Sequence, residues 1–149
     1  MSQFALDGTF IGIFASTGKK GGGDGEFKTP LAITVLGSSG EVAVADRKNH
    51  RVQIFDSEGK YKRQFGTEGK EADGQLFMPL GIASDAHGNL LVTDRTNRLQ
   101  VFDHEGKHLC TRSDLGLQGG SIKGIAWSTG GEIAVANGGA NKALVWHSA

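Results

Sequence analysis

One segment of this chain recurs at a spacing of 47 to 49 residues, and that recurrence limits the possible folds more than any other feature of its 149 residues. The first full repeat, PLAITVLGSSGEVAVADRKNHRVQIFDSEGKYKRQFGTEG, runs from Pro30 to Gly69. The second, PLGIASDAHGNLLVTDRTNRLQVFDHEGKHLCTR, runs from Pro79 to Arg112. A fainter third, IKGIAWSTGGEIAVANGGANKALVWH, runs from Ile122 to His147. Asp46 aligns with Asp94, Arg51 with Arg98, Phe55 with Phe102 and Gly59 with Gly106. The opening FALDGTFIGIFASTG (Phe4 to Gly18) lines up with FDSEGKYKRQFGTEG (Phe55 to Gly69), the end of the first repeat. The connectors match as well, DGEFKTP before Pro30 and DGQLFMP before Pro79. Self-similarity at this period marks a repeat architecture.

Each repeat reads as four short strands. In the first they are Leu31–Leu36, Glu41–Asp46, Arg51–Asp56 and Tyr61–Gly66. Val42 and Val44 alternate with small neighbours, as on a half-buried strand. Gly37 to Gly40, Ser57 to Gly59 and His87-Gly88 carry the turn chemistry between strands. No window holds a helical apolar period. Glycine, 24 of 149 residues, is about twice its usual frequency, which suits a turn-rich β protein. Four antiparallel strands per unit of this length is the blade of a β-propeller. The single cysteine, Cys110, excludes a disulfide framework and a cysteine-based zinc cluster. No apolar run reaches the length of a membrane span, and MSQFALDGTF lacks the basic-then-apolar order of a signal peptide. The expectation is an intracellular, cytoplasmic protein with no membrane association.

These repeats resemble NHL repeats. Their pattern is roughly P-x-G-I-A-x-D, G-N-I-x-V-A-D, N-x-R-I-Q-V-F-D and G-x-F-x-x-x-F-G. The second repeat carries PLGIASD, GNLLVTD and RLQVFDHEGK, and the first carries GEVAVAD and NHRVQIFDSEGKYKRQFG with a weaker PLAITV. The third departs: Asn137 replaces the strand-end Asp, Lys142 stands at the Arg position and Trp146 replaces Phe. The resemblance covers nearly the whole chain. It implies an all-β fold of NHL-type propeller blades, and since such propellers generally have six blades, this chain holds half of one.

The expected organisation is a single NHL-repeat domain. Residues 1–29 supply the last strand of a preceding blade plus a linker, 30–78 and 79–121 are blades, and 122–149 is a blade lacking its outer strand. Three blades leave two apolar faces open. A homodimer closing a six-bladed ring would cover them, with Thr9, Phe10, Ile11, Ile13 and Phe14 as the dimer-closing strand of the partner's last blade. The chain also reads as a fragment of a longer protein, or as a self-assembling half-propeller, natural or engineered, with no ligand.

Lys plus Arg balances Asp plus Glu at 16 each, which argues against a uniformly basic coat but not against a local patch. Arg47, Lys48, Asn49 and His50 share one inter-strand turn, and Arg95 and Asn97 occupy the matching turn of the next repeat. Together they are the candidate ligand residues. Lys and Arg suit phosphate and Asn and His suit base edges, as single-stranded RNA requires. TRIM-NHL proteins of the RNA-regulating kind, which these repeats resemble, use a basic propeller face in this way. Other NHL propellers bind proteins or peptides there, so the partner classes are RNA or protein. Asp46, Arg51, Asp94 and Arg98 read as inter-strand structural positions. Lys60, Lys62 and Arg63 fall on an outer strand.

Enzymatic readings are weaker. His104 and His108 flank a hairpin turn, so no helical zinc motif exists. The five histidines fall at non-equivalent repeat positions, against a metal-dependent lyase or hydrolase. Cys110 has no oriented His–carboxylate pair to make it a nucleophile. The glycine-rich stretches Gly18–Gly25 and Gly66–Gly74 lack phosphate-loop spacing and read as flexible blade connectors. Trp127 and Trp146 read as packing residues. No catalytic residue, metal or cofactor is expected.

Overall fold

A computed structural model describes residues 2–4, 7–13, 17, 19–37, 39–116 and 120–147. The chain opens with an antiparallel pair, β1 (Ser2–Phe4) and β2 (Phe10–Ile13). The first complete blade is a four-stranded antiparallel meander, β3 (Pro30–Val35), β4 (Val42–Asp46), β5 (Arg51–Phe55) and β6 (Tyr61–Phe65). A short parallel pair, β7 (Thr67–Glu68) and β8 (Gln75–Leu76), closes the next connector. The second blade repeats the meander with β9 (Gly81–Ser84), β10 (Leu90–Thr93), β11 (Leu99–Phe102) and β12 (His108–Arg112). The third has three strands, β13 (Ile122–Trp127), β14 (Glu132–Asn137) and β15 (Lys142–His147). The first strands of the three blades, β3, β9 and β13, lie side by side. These are β-propeller blades.

The strand expected to complete a partner's last blade, β2, is itself paired with β1. Phe4 pairs Phe10 with a bulge, as Phe55 pairs Tyr61 and Phe102 pairs His108. The opening pair thus has the register of the third and fourth strands of the two full blades. Phe14, the last residue of the expected closing strand, lies outside the described residues.

Blades cohere because successive strand residues face opposite neighbours. Ala43, Ala45, Val52 and Ile54 leave one side of the first blade and meet Ile82, Leu90, Val92 and Phe102 of the second in one buried cluster. Leu91 and Leu99 on the far side of the second blade pack with Ile122 and Val135 of the third. Trp127 and Trp146 lean on that second cluster. Small residues on one side and large ones on the other let the sheets approach and interdigitate.

A charged clamp joins the outer parts of the first two blades. Buried Glu41, just before β4, accepts from Arg63 Nη1 at 3.0 Å and Nη2 at 2.9 Å, and from Lys62 Nζ at 2.5 Å. Arg63 Nε also donates to the carbonyl of His104 in the β11–β12 turn, at 3.0 Å. The Arg63 guanidinium, with Lys62 beside it, holds the Glu41 carboxyl down to about 2 from its ordinary 4.5. A folded value below the unfolded one means that this contribution is complete above the unfolded value and fades as pH falls through the folded one. Stability should therefore drop between about pH 4.5 and pH 2, by on the order of 1–2 kcal/mol after solvent screening. Urea titrations across that window should show Arg63→Met losing less stability with acid than the parent does. Parallel acid limbs would contradict this assignment.

Candidate binding rim and the connector clamps beneath it

In each full blade, the turn between the second and third strands starts with a buried aspartate and ends with a buried arginine. In the first blade Arg51 Nε donates to Asp46 Oδ2 at 3.1 Å. The rest of the guanidinium turns onto the connector ahead of the blade. It donates to the carbonyls of Gly22 at 2.8 Å, Gly23 at 2.9 Å and Glu26 at 2.8 Å. Asp46 Oδ1 accepts the Lys28 N–H at 2.7 Å. Gln53, in the middle of β5, completes the grip: its Nε2 donates to the Glu26 carbonyl at 2.8 Å and its Oε1 accepts the Gly25 N–H at 3.0 Å. The five donors of an arginine suit such a cluster of carbonyls.

The second blade repeats this chemistry. Arg98 Nη2 donates to Asp94 Oδ2 at 3.0 Å and to the Gln75 carbonyl at 2.9 Å, and Nη1 donates to the Ala72 carbonyl at 3.3 Å. Asp94 Oδ2 accepts the Phe77 N–H at 3.1 Å, and Gln100 takes the roles of Gln53 at Gln75 and Gly74. The glycine-rich connectors are thus held rather than slack. In the third blade Asn137, Lys142 and Leu144 occupy the three positions, with Lys142 exposed. The ion pair is missing there.

The turns themselves carry a second recurrent device. His50, Asn97 and Asn141 all have positive φ, at 55°, 62° and 51°, just before the third strand. His50 Nδ1 accepts the Met78 N–H at 3.2 Å, and Asn97 Oδ1 accepts the Ile122 N–H at 3.2 Å. Each therefore ties its turn to the entry of the following blade. Asn49 is also engaged, donating to Asp46 Oδ2 at 2.7 Å and the Gly21 carbonyl at 2.8 Å.

Around these bonded groups lie the cations. Lys48 and Arg95 are exposed and Arg47 is half-buried. The Lys48 and Arg95 N–H groups bond the carbonyls of Lys28 and Phe77, at 3.0 and 2.9 Å, which seats both turns against the blade entries. Lys28 is exposed beside them. The meander puts both turns at one end of the blades and the remaining turns at the other. There Asp56, Asp85 and Asp103 each accept two turn N–H groups, at 2.8 to 3.0 Å, with Glu58 and Glu105 exposed nearby. Exposed Lys60 and Lys107 share those turns, and exposed Glu68 stands 3.7 Å from His50 at the first end, so the rim is a local cluster of cations within a mixed surface.

The NHL repeat family model matches residues 27–55, the connector end, β3, β4 and β5 with their clamp. This match identifies residues 27–55 as an NHL repeat. Protein brain tumor of Drosophila melanogaster is 39% identical over 87 residues, 56% of this chain and 8% of that protein. RING finger protein nhl-1 of Caenorhabditis elegans is 51% identical over 67 residues, covering 45% and 7%. E3 ubiquitin-protein ligase TRIM32 of Mus musculus is 36% identical over 109 residues, covering 66% and 16%. The chain thus spans less than a fifth of each of these relatives. Among solved structures, Kuenenia stuttgartiensis hydrazine synthase matches with a TM-score of 0.57 at 19% identity, over 72% of this chain and 28% of that one, a likeness of fold.

Within the blades, the six candidate ligand residues divide. Arg47, Lys48 and Arg95 offer charge at the rim, whereas Asn49, His50 and Asn97 serve the fold with the groups that would read a base. The clamp glutamines Gln53 and Gln100 escaped the sequence reading. Their signal was a glutamine at the centre of both RVQIF and RLQVF, polar where the strand faces inward. Among the described residues, no three His, Cys, Asp or Glu side chains are grouped to hold a metal. No helix among them is long and apolar enough to cross a membrane.

Proposed function

We propose that this chain is a non-enzymatic NHL scaffold whose basic rim binds single-stranded RNA through its phosphates. The grouping of Arg47, Lys48 and Arg95 with Lys28 at one end of the blades carries this reading. Asp46 and Asp94 are neutralised beneath the surface, so the turns above them present Arg47, Lys48 and Arg95 with Lys28 alongside. Phosphate neutralisation supplies most non-specific nucleic-acid affinity. Asn49, His50 and Asn97 are already bonded, so base discrimination at these turns is weak and the interaction follows backbone charge. This chain spans 16% of the ligase named among the relatives, and the part proposed for it is binding.

Fluorescence anisotropy with a labelled oligouridylate, titrated at several salt concentrations, tests the proposal. Binding should weaken steeply with salt. The Arg47→Ala, Lys48→Ala, Arg95→Ala variant should lose about an order of magnitude in affinity at low salt, with the slope flattened by about 0.7 for each phosphate contact removed. An oligouridylate that does not bind at low salt, or binding that ignores these substitutions, would overturn the RNA reading. Peptide capture by the same rim would then be the reading to pursue.

A further inference from the structure

We propose that Asp24–Gly25 and Asp73–Gly74 are latent sites of isoaspartate formation, each held closed by the clamp glutamine of the blade that follows it. The sequence has three Asp–Gly pairs, at 7–8, 24–25 and 73–74. In such a pair the glycine nitrogen attacks the aspartyl side-chain carboxyl, because glycine has no Cβ to hinder the approach. A bond forms from that nitrogen to Cγ, and a carboxyl oxygen leaves as water, taking the amide proton. Water then opens the resulting ring at the main-chain carbonyl, and the backbone runs on through the side-chain carbon. The water lost in the first step returns in the second, so no other reagent is consumed.

The two connector pairs share the geometry that prevents this. Gln53 Oε1 accepts the Gly25 N–H at 3.0 Å, and Gln100 Oε1 accepts the Gly74 N–H at 3.0 Å. Both glutamines are fully buried. Their Nε2 groups donate to the carbonyls of Glu26 at 2.8 Å and Gln75 at 2.6 Å, which fixes both ends of each amide. The attacking nitrogen thus has its proton committed to a buried acceptor. The carboxylates are engaged too: Asp73 Oδ1 accepts from the Thr111 hydroxyl at 2.7 Å, and Asp24 meets the Tyr61 hydroxyl. Both aspartates are exposed, so water for the second step is at hand. Release of the connector from its blade, a local opening, therefore gates the reaction. The product adds a backbone carbon beside the carbonyls that Arg51 and Arg98 hold, so that one opening becomes permanent.

The test ages the 149-residue chain in warm, mildly acidic buffer and measures isoaspartate by peptide mass spectrometry. Trypsin places the three pairs in separate peptides, ending at Lys19, Lys28 and Arg95. In the folded parent, Asp24 and Asp73 should convert far more slowly than in the same chain held unfolded in guanidinium. Gln53→Leu should speed conversion at Asp24 by about tenfold and leave Asp73 unchanged, as expected when a bond that keeps a local segment closed is lost. Gln100→Leu should do the reverse. Asp7–Gly8 is exposed and no clamp holds it, so it serves as the internal reference and should convert equally in all three proteins. Equal rates in the folded and unfolded parent would overturn the proposal. So would a rate at Asp24 that Gln53→Leu leaves unchanged, or a rise at both connector sites in either variant, which is the signature of general unfolding.

Discussion

Arg51→Met should destabilise the chain by about 3–5 kcal/mol, the loss seen when one member of a buried ion pair is removed. Asp46, fully buried, would lose its guanidinium partner. The carbonyls of Gly22, Gly23 and Glu26 would lose their guanidinium donor at the same time. The damage should extend beyond the global midpoint. Amide exchange at Gly25 and Lys28, whose N–H groups bond Gln53 and Asp46, should accelerate more than exchange within β4. Lys142→Met provides the control, because Lys142 is exposed at the equivalent position and its loss should stay within about 0.5 kcal/mol. Chemical denaturation of the three proteins measures the difference. A cost below about 1 kcal/mol for Arg51→Met would show that the clamp does not hold the connector.

The second large effect lies between the blades. Phe102→Ala should cost about 3–5 kcal/mol. Phe102 is 1% exposed in the cluster that joins the first two blades. Its ring centroid lies 4.6 Å from that of Phe65 on β6 and 5.6 Å, edge to face, from His108. Truncation removes apolar burial and an aromatic pair that spans the joint, and leaves a cavity too enclosed to collapse. Phe102→Leu should recover part of the loss, and Leu109→Ala, 49% exposed on the adjoining strand, should change stability by about 0.5 kcal/mol or less. Equal midpoints for Phe102→Ala and Leu109→Ala in urea would place the cohesion of the blades elsewhere.

Much of this architecture was legible in the sequence. Strand positions followed from the alternation around Val42 and Val44 and from repeated turn glycines, since both reflect local backbone and burial rules. The Asp and Arg positions also stood out, because they recur at a fixed place in both strong repeats. Their targets were not legible. Arg51 addresses main-chain carbonyls 25 to 29 residues earlier, and a carbonyl has no signature in a sequence. His50 and Asn97 share a backbone role although their side chains differ and an extra residue in the first turn shifts the alignment. Their residue types suit ligands, which hides the left-handed position they fill. The opening strand Ser2–Phe4 was missed because three residues are too short to show alternation, even though the Phe4 alignment pointed to it.

The clamps also redraw where one module of the chain ends and the next begins. By sequence, a repeat starts at Pro30 or Pro79. By hydrogen bonding, the side chains of a blade hold the ten or so residues ahead of that proline, as Arg98 and Gln100 hold the stretch from Gly69 to Gln75. The transferable module is therefore a connector together with the blade that follows it, with its natural seams just after β6 and β12. A duplication or graft joined at those seams carries its own retaining groups. One spliced at the prolines delivers a blade whose arginine has nothing to hold, and a connector that depends on its new neighbour to supply the grip.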